Sequence, residues 1–277
     1  MPELPDLLHV LGKLRARLLG RTVTAERLRE PVVLRCLVHG NLSLLLGRSL
    51  RDLTRRAHFV IFHFDGFDLA VNPMLAGRFK FAEPGQKDEA ALGFALGFDD
   101  VELRYVDDKK MGKAYLAAAG DLSAIPGLQT IGVDVLSSHF TVERFASLLR
   151  HRRDQVRVFL LDKRALDSLG NAYADEVLFE ARIHPKTWCR SLTHEDAERL
   201  HAAIVAVLKD AVAEVARRDE PIEVKIRDFL KVRLKAECPR CGARIRKAGV
   251  KGMDAYFCPT CQPATRPGLV DWTRTGR

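Results

Sequence analysis

The sequence predicts an α+β protein: a leading helix and a β-rich half folded as an antiparallel sandwich or barrel, then a helical half, then a metal-held β-hairpin. Three observations predict it. Short apolar runs broken by turn residues fill the chain as far as about residue 118, and from Thr141 onward apolar residues recur at helical spacing. Four of the six cysteines stand as two C-x2-C pairs with sixteen residues between them. The 277 residues suffice for two modest domains, and 47% hydrophobic with 29% charged residues is ordinary globular composition, which excludes wholesale disorder and fibrous architectures. No apolar stretch approaches the roughly 18 to 20 residues of a membrane span: AALGFALGF stops at Asp99 and HAAIVAVL is cut by Lys209. The opening MPELPD carries acid and proline where a secretion signal places basic and then apolar residues, so a cytosolic location without a membrane partner is expected.

Leu7, Leu8, Leu11, Leu14, Leu18 and Leu19 recur at helical spacing, and Gly20 marks the stop of this first helix. Strands are expected over 21–28, 58–64, 67–71, 77–81, 92–98, 101–106 and 113–118, separated by turn residues such as Asp65-Gly66. A connection punctuated by Gly and Pro covers 120–132 and places a boundary near 120–137. Helices are expected over 141–150, 154–166, 171–182 and about 194–217, with Thr193 capping the last and Asp196 in its first turn. There is no internal repeat, low-complexity tract or Gly-rich phosphate loop.

Lys plus Arg outnumber Asp plus Glu 45 to 36, a net charge of +9 that favours a polyanionic partner. Between Pro221 and Lys251 ten basic residues face Glu223, Asp228 and Glu237, so most of the excess is local; a solvated charged face is the plain alternative. Cys238, Cys241, Cys258 and Cys261 can each present a thiolate to one corner of a tetrahedron, which fits one structural Zn²⁺ with a closed shell. Two disulfides are disfavoured by the start of the chain and by Cys36 and Cys189, which read as buried free thiols. The intervening RIRKAGVKGMDAYF reads as two strands about a basic turn, a hairpin that suits a groove or a phosphate row.

Pro2 follows Met1, and loss of Met1 leaves a secondary amine at the N-terminus. An α-amino group titrates near pH 8, so a useful fraction is unprotonated at neutrality and can attack an aldehyde-level carbon to give an iminium ion. Glu3 then stands ready as acid and base.

Proline start and zinc hairpin together resemble the formamidopyrimidine-DNA glycosylase and endonuclease VIII family of base-excision repair enzymes. Pro2-Glu3-Leu4-Pro5-Asp6 looks like that family's opening; Gly47-Arg48 with Arg55-Arg56-Ala57-His58-Phe59 looks like a second segment. Leu161-Asp162-Lys163, the string Gly170-Asn171-Ala172-Tyr173-Ala174-Asp175-Glu176, Ile183-His184-Pro185 and Cys258-Pro259-Thr260-Cys261-Gln262 follow in family order. The resemblance spans nearly the whole chain. It implies an N-terminal catalytic β-sandwich (1–127), a helix-two-turn-helix DNA-binding domain (128–232) and a zinc finger with tail (233–277). It further implies a glycosylase with abasic-site lyase activity on damaged double-stranded DNA, acting as a monomer, with Pro2 and Glu3 catalytic. The turn before Asn171 would bring backbone N–H groups and its amide to a phosphate at a helix start. Asp175 and Glu176 have a purely bracing alternative.

The chain also departs from the family. His58 stands where a phosphate-gripping lysine is expected, and an imidazole is only partly charged at neutral pH. Lys109 and Met111 replace the arginine and phenylalanine that face the opposite base and wedge the stack, and Leu75 replaces the void-filling methionine. Met253 stands where the finger's arginine is expected, which passes its phosphate contact to Lys251, Arg246 or Lys247. Residues 219–237 are too few for the loop that covers oxidised guanine, so 8-oxoguanine is not expected as the main substrate. Two alternatives remain open at this point: a non-catalytic binder of damaged DNA or DNA structure on the same fold, and an RNA-binding zinc-ribbon protein.

Overall fold

The computed structural model describes residues 2–167 and 169–264; Met1, Ser168 and the tail from 265 lie outside the described residues, and the expected loss of Met1 falls there. By its contacts the chain forms two units. The first takes residues 1–130 together with 214–226, and the second takes 131–213 and 227–277.

The first unit opens with α1 (Leu4–Leu18), whose start is fixed by a reciprocal cap. Glu3 N–H donates to Asp6 Oδ2 at 2.8 Å, the Glu3 carboxylate accepts from Asp6 N–H, and Pro5 sits where no backbone donor is needed. Leu4, Leu7, Leu11, Leu14 and Leu18 form its buried stripe. Strands β1 (Ala25–Leu28), β2 (Leu34–Cys36), β3 (Leu50–Arg56), β4 (Phe59–Phe64), β5 (Phe67–Asn72), β6 (Arg78–Ala82), β7 (Leu92–Phe98), β8 (Val101–Val106) and β9 (Lys113–Ala118) follow. They form a four-stranded sheet in the order β1-β7-β8-β6 and a five-stranded sheet in the order β2-β9-β5-β4-β3. All pairs are antiparallel except β2 with β9. The inner faces meet in one core: Phe62 of β4 packs on Phe79 of β6 with ring centroids 5.6 Å apart, and Phe79 packs on Tyr105 at 5.7 Å. This is the sandwich. Ile222, far along the chain, is buried in the same core.

The second unit contains β10 (Val133–Asp134), α2 (Val142–Arg150), α3 (Val156–Leu160), β11 (Leu166–Asp167), α4 (Asn171–Glu180), most of α5 (His194–Arg218) and the hairpin β12 (Arg246–Val250) with β13 (Met253–Phe257). Thr193 and Asp196 cap α5 reciprocally, at 3.1 and 3.0 Å. Among the described residues no helix is long and apolar enough to cross a membrane.

Three sequence expectations need correction. The strand expected over 21–28 begins only at Ala25, and Thr22 makes an isolated bridge to Ser49. Strands β2 and β3 were not expected, because LRDLTRR interrupts its buried Leu50 and Leu53 with outward-facing charges. The helix expected over 154–166 stops at Leu160. Asp162 draws the chain into a turn by accepting from Arg164 N–H at 3.0 Å and from Arg152 at 2.7 Å, and Leu166–Asp167 then pair in parallel with β10.

Candidate active site and metal centre

Pro2 is buried on a narrow cavity of about 20 Å³ in the first unit, no more than a water molecule needs. Asp6, Gly77, Arg78, Ile222 and Lys225 share its walls. Glu3 is 6% exposed, and its place in the helix cap fixes the carboxylate beside Pro2 in the chain.

Two loops of the same unit carry exposed apolar tips. Leu75 is 56% and Met111 40% exposed, so each presents apolar surface to solvent. Both loops are held from below by Tyr105, itself fully buried. A Cβ at Gly77 would lie 2.0 Å from the Tyr105 hydroxyl oxygen, and one at Gly112 would lie 1.7 Å from it, so only glycine admits that close approach at either loop. Asp107 completes the second loop: its carboxylate accepts from Lys109 N–H at 3.0 Å and Gly112 N–H at 2.6 Å. Arg78 reaches Asp108 and ties the strand after the first loop to the second. Lys109 is exposed between them. His58 belongs to the same unit. It is 2% exposed in the turn between β3 and β4, next to Ala57 at φ +51°, and presents no surface to a ligand.

In the second unit, Asn171 opens α4. Arg157 donates from Nε to Asp175 Oδ1 at 2.8 Å and from Nη2 to Asn171 Oδ1 at 3.0 Å, and Arg233 donates to Asp175 Oδ2 at 2.6 Å. Glu176 accepts the backbone N–H groups of Lys231, Val232 and Arg233 at 2.7, 3.0 and 3.0 Å. Burial pushes both carboxyls up from their ordinary range, against the pull of the two arginines on Asp175 and of the three N–H donors on Glu176. The bracing role of this acidic pair is therefore visible in the contacts. Lys251 is exposed at the hairpin turn with φ +48°, its ammonium 3.7 Å from Asp154.

The four cysteine sulfurs lie within 4.8 Å of one another, with separations of 3.8 Å for Cys238 and Cys261, 3.5 Å for Cys241 and Cys258, and 3.6 Å for Cys241 and Cys261. A Zn–S bond of about 2.3 Å gives a tetrahedral S···S edge of about 3.8 Å, so the set fits one zinc ion. Cys261 N–H donates to Cys258 Sγ and Arg240 N–H to Cys238 Sγ, each at 3.4 Å, a backbone shell that steadies thiolates. Cys189 is buried as expected of a free thiol, and Cys36 is only half-buried. Sequence reasoning missed Tyr105 and Arg157; the lone charge inside the apolar run VRVFLL was the one available signal for the latter.

A β-sandwich whose first helix is capped by Glu3, next to Pro2, followed by a helical unit with a four-cysteine finger, defines a class of zinc-braced two-unit proteins. Residues 1–114 match the formamidopyrimidine-DNA glycosylase N-terminal domain, 131–219 the formamidopyrimidine-DNA glycosylase H2TH domain, and 237–264 the zinc finger found in FPG and IleRS. The chain belongs to the formamidopyrimidine-DNA glycosylase family. It is 34% identical to the formamidopyrimidine-DNA glycosylase of Symbiobacterium thermophilum, covering 95% of this chain and 90% of that one, and 32% identical to that of Exiguobacterium sibiricum, covering 95% and 99%. Among solved structures it is similar to Lactococcus lactis Fpg with DNA containing an abasic site, at a TM-score of 0.85, 27% identity and coverage of 95% and 100%.

Proposed function

We propose that this protein is a base-excision DNA glycosylase with abasic-site lyase activity, working as a single chain on damaged double-stranded DNA. The observation that carries the reading is Pro2 on its cavity with the Glu3–Asp6 cap beside it. Family membership, and the damaged DNA bound by Lactococcus lactis Fpg in the similar structures, support the same reading.

With Met1 removed, the Pro2 amine attacks C1′ of a nucleotide turned out of the stack, where that carbon becomes reachable. The bond from C1′ to the damaged base breaks, the base leaves with its electron pair and a proton, and the opened sugar is held as an iminium ion. That electron sink acidifies C2′. Loss of the C2′ proton breaks the C3′–O bond and releases the 3′ portion of the strand as a phosphate-terminated end; water then frees Pro2. Glu3 gives and takes the protons. Leu75, Met111 and Lys109 occupy the gap left by the turned-out nucleotide, and Asn171 and Lys251 hold backbone phosphates. Only residues 219–237 separate α5 from the finger, a short connection that supports a main substrate other than 8-oxoguanine.

Borohydride reduction with duplex DNA containing an abasic site tests the reading: a covalent adduct mapping to the N-terminal peptide is expected. A second reading, DNA binding without turnover, is favoured by the narrowness of the cavity beside Pro2; tight binding with no adduct under the same conditions selects it.

A further inference from the structure

Arg157 is the fully buried arginine of the second unit among the described residues, and its guanidinium is spent on three partners. Nε donates to Asp175 Oδ1 at 2.8 Å, while Nη2 donates both to Asn171 Oδ1 and to the Asp254 carbonyl of β13, each at 3.0 Å. Arg233 closes the set from the other side, donating to Asp175 Oδ2 at 2.6 Å and to the Asn171 carbonyl at 3.4 Å. A guanidinium offers donors only, so the Asn171 atom that faces it must be the carbonyl oxygen and not the amide nitrogen. The two amide N–H donors of Asn171 are thereby turned to the opposite side. A phosphate offers acceptors only, so this is the one orientation in which Asn171 can bind it.

We infer that Arg157 is a positioning residue for DNA: by holding Asn171 Oδ1 it presents the Asn171 amide N–H groups to a backbone phosphate, and through the Asp254 carbonyl it ties that orientation to the zinc hairpin. The inference rests on the reading of Asn171 as a phosphate contact.

A double-mutant cycle on the full-length zinc-loaded protein tests it, using a duplex with a tetrahydrofuran abasic analogue and several salt concentrations. Asn171→Ala and Arg157→Met should each weaken binding about tenfold, the size of one hydrogen bond to a charged acceptor. The double variant should be no weaker than Asn171→Ala alone. The salt dependence should keep its wild-type slope, because the amide through which Arg157 acts is neutral. Losses that multiply to about a hundredfold mean that Arg157 acts elsewhere and overturn the inference while leaving the Asn171 reading intact. A slope reduced by about 0.9 in Arg157→Met also overturns it, since Arg157 then touches phosphate itself through Nη1, which makes no hydrogen bond within the protein. If Asn171→Ala binds like wild type, the phosphate reading of Asn171 falls and the inference falls with it. Should Arg157→Met lose its zinc or fail to fold, Arg157→Lys carries the same cycle, keeping a charge beside Asp175 with one donor nitrogen in place of three.

Discussion

Glu3 has two employments in one place. Its carboxylate caps α1 and it adjoins Pro2, so the structural bond that fixes the helix start also fixes the acid and base of the proposed chemistry. The amine sets the pH dependence: a secondary amine titrating near 8 is protonated and inert below about pH 6, so adduct formation on abasic DNA should rise between about pH 6 and 8 and then level off. Single-turnover trapping across that range measures it, and a variant with one extra residue before Pro2 should form no adduct at any pH; equal trapping there would move the chemistry to a lysine. The apolar tips make a separate prediction. Leu75→Ala and Met111→Ala remove exposed side chains, so thermal stability should move by no more than about 0.5 kcal/mol while affinity for lesion-containing duplex falls several-fold. Calorimetry and binding isotherms on the same preparations separate the two effects. The four cysteines were legible in the sequence because their type and spacing carry the metal chemistry, and Pro2 with Glu3 stands out there as the pair fit for the proposed reaction. Tyr105 was not, because its role depends on two loops, near residues 77 and 112, converging on one hydroxyl group, and nothing local in either loop announces that meeting.

At the level of elements, legibility followed burial pattern. The first helix, α2 and α5 show helical spacing plainly, β4 through β9 stand out as short apolar runs, and Thr193 with Asp196 announces the start of α5, whereas α4 is buried along nearly its whole length and shows little period. Strand β3 hides because charged residues flank its two buried leucines, and α3 was read too long because Asp162, an ordinary helix residue in the sequence, is claimed by Arg152 and by a turn. The zinc hairpin was legible from spacing alone. Its metal should be measurable as about one equivalent, lost in Cys258→Ser. Thiol alkylation gives a sharper test: burial pushes the Cys189 thiol up to about 12, so at pH 8 only about one part in ten thousand is thiolate, and it should stay unmodified. Chelation of the zinc should therefore release four newly reactive thiols, and mass spectrometry should place them at Cys238, Cys241, Cys258 and Cys261. Fewer than four would mean that the closed tetrahedron is wrong.

At the scale of the whole molecule, the basic excess is smaller in effect than in count. Arg233 is engaged by Asp175, Arg240 by Glu180, Lys247 by Asp254 and Lys251 by Asp154, so part of the run from Pro221 to Lys251 is neutralised within the protein. The slope of log affinity against log salt on duplex DNA should accordingly fall well short of the value near 9 expected if all ten of those charges displaced counterions. A slope near 9 would mean that DNA breaks these pairs. The other whole-molecule property is the path of the chain. The first unit is discontinuous: it stops at residue 130 and is resumed by 214–226, where Ile222 enters the core that α1 and the strands begin. During synthesis that residue leaves the ribosome roughly 100 positions after Leu116, the residue that precedes it in this core, a delay of roughly 5 to 20 s at about 5 to 20 residues per second. For that interval the sandwich exists as an incomplete nascent core with an apolar seat open beside Pro2, so arrested chains should be readily cut by protease until residue 226 has emerged and resist it afterwards. Order of manufacture, and not only final geometry, thus decides when the N-terminal amine first becomes enclosed.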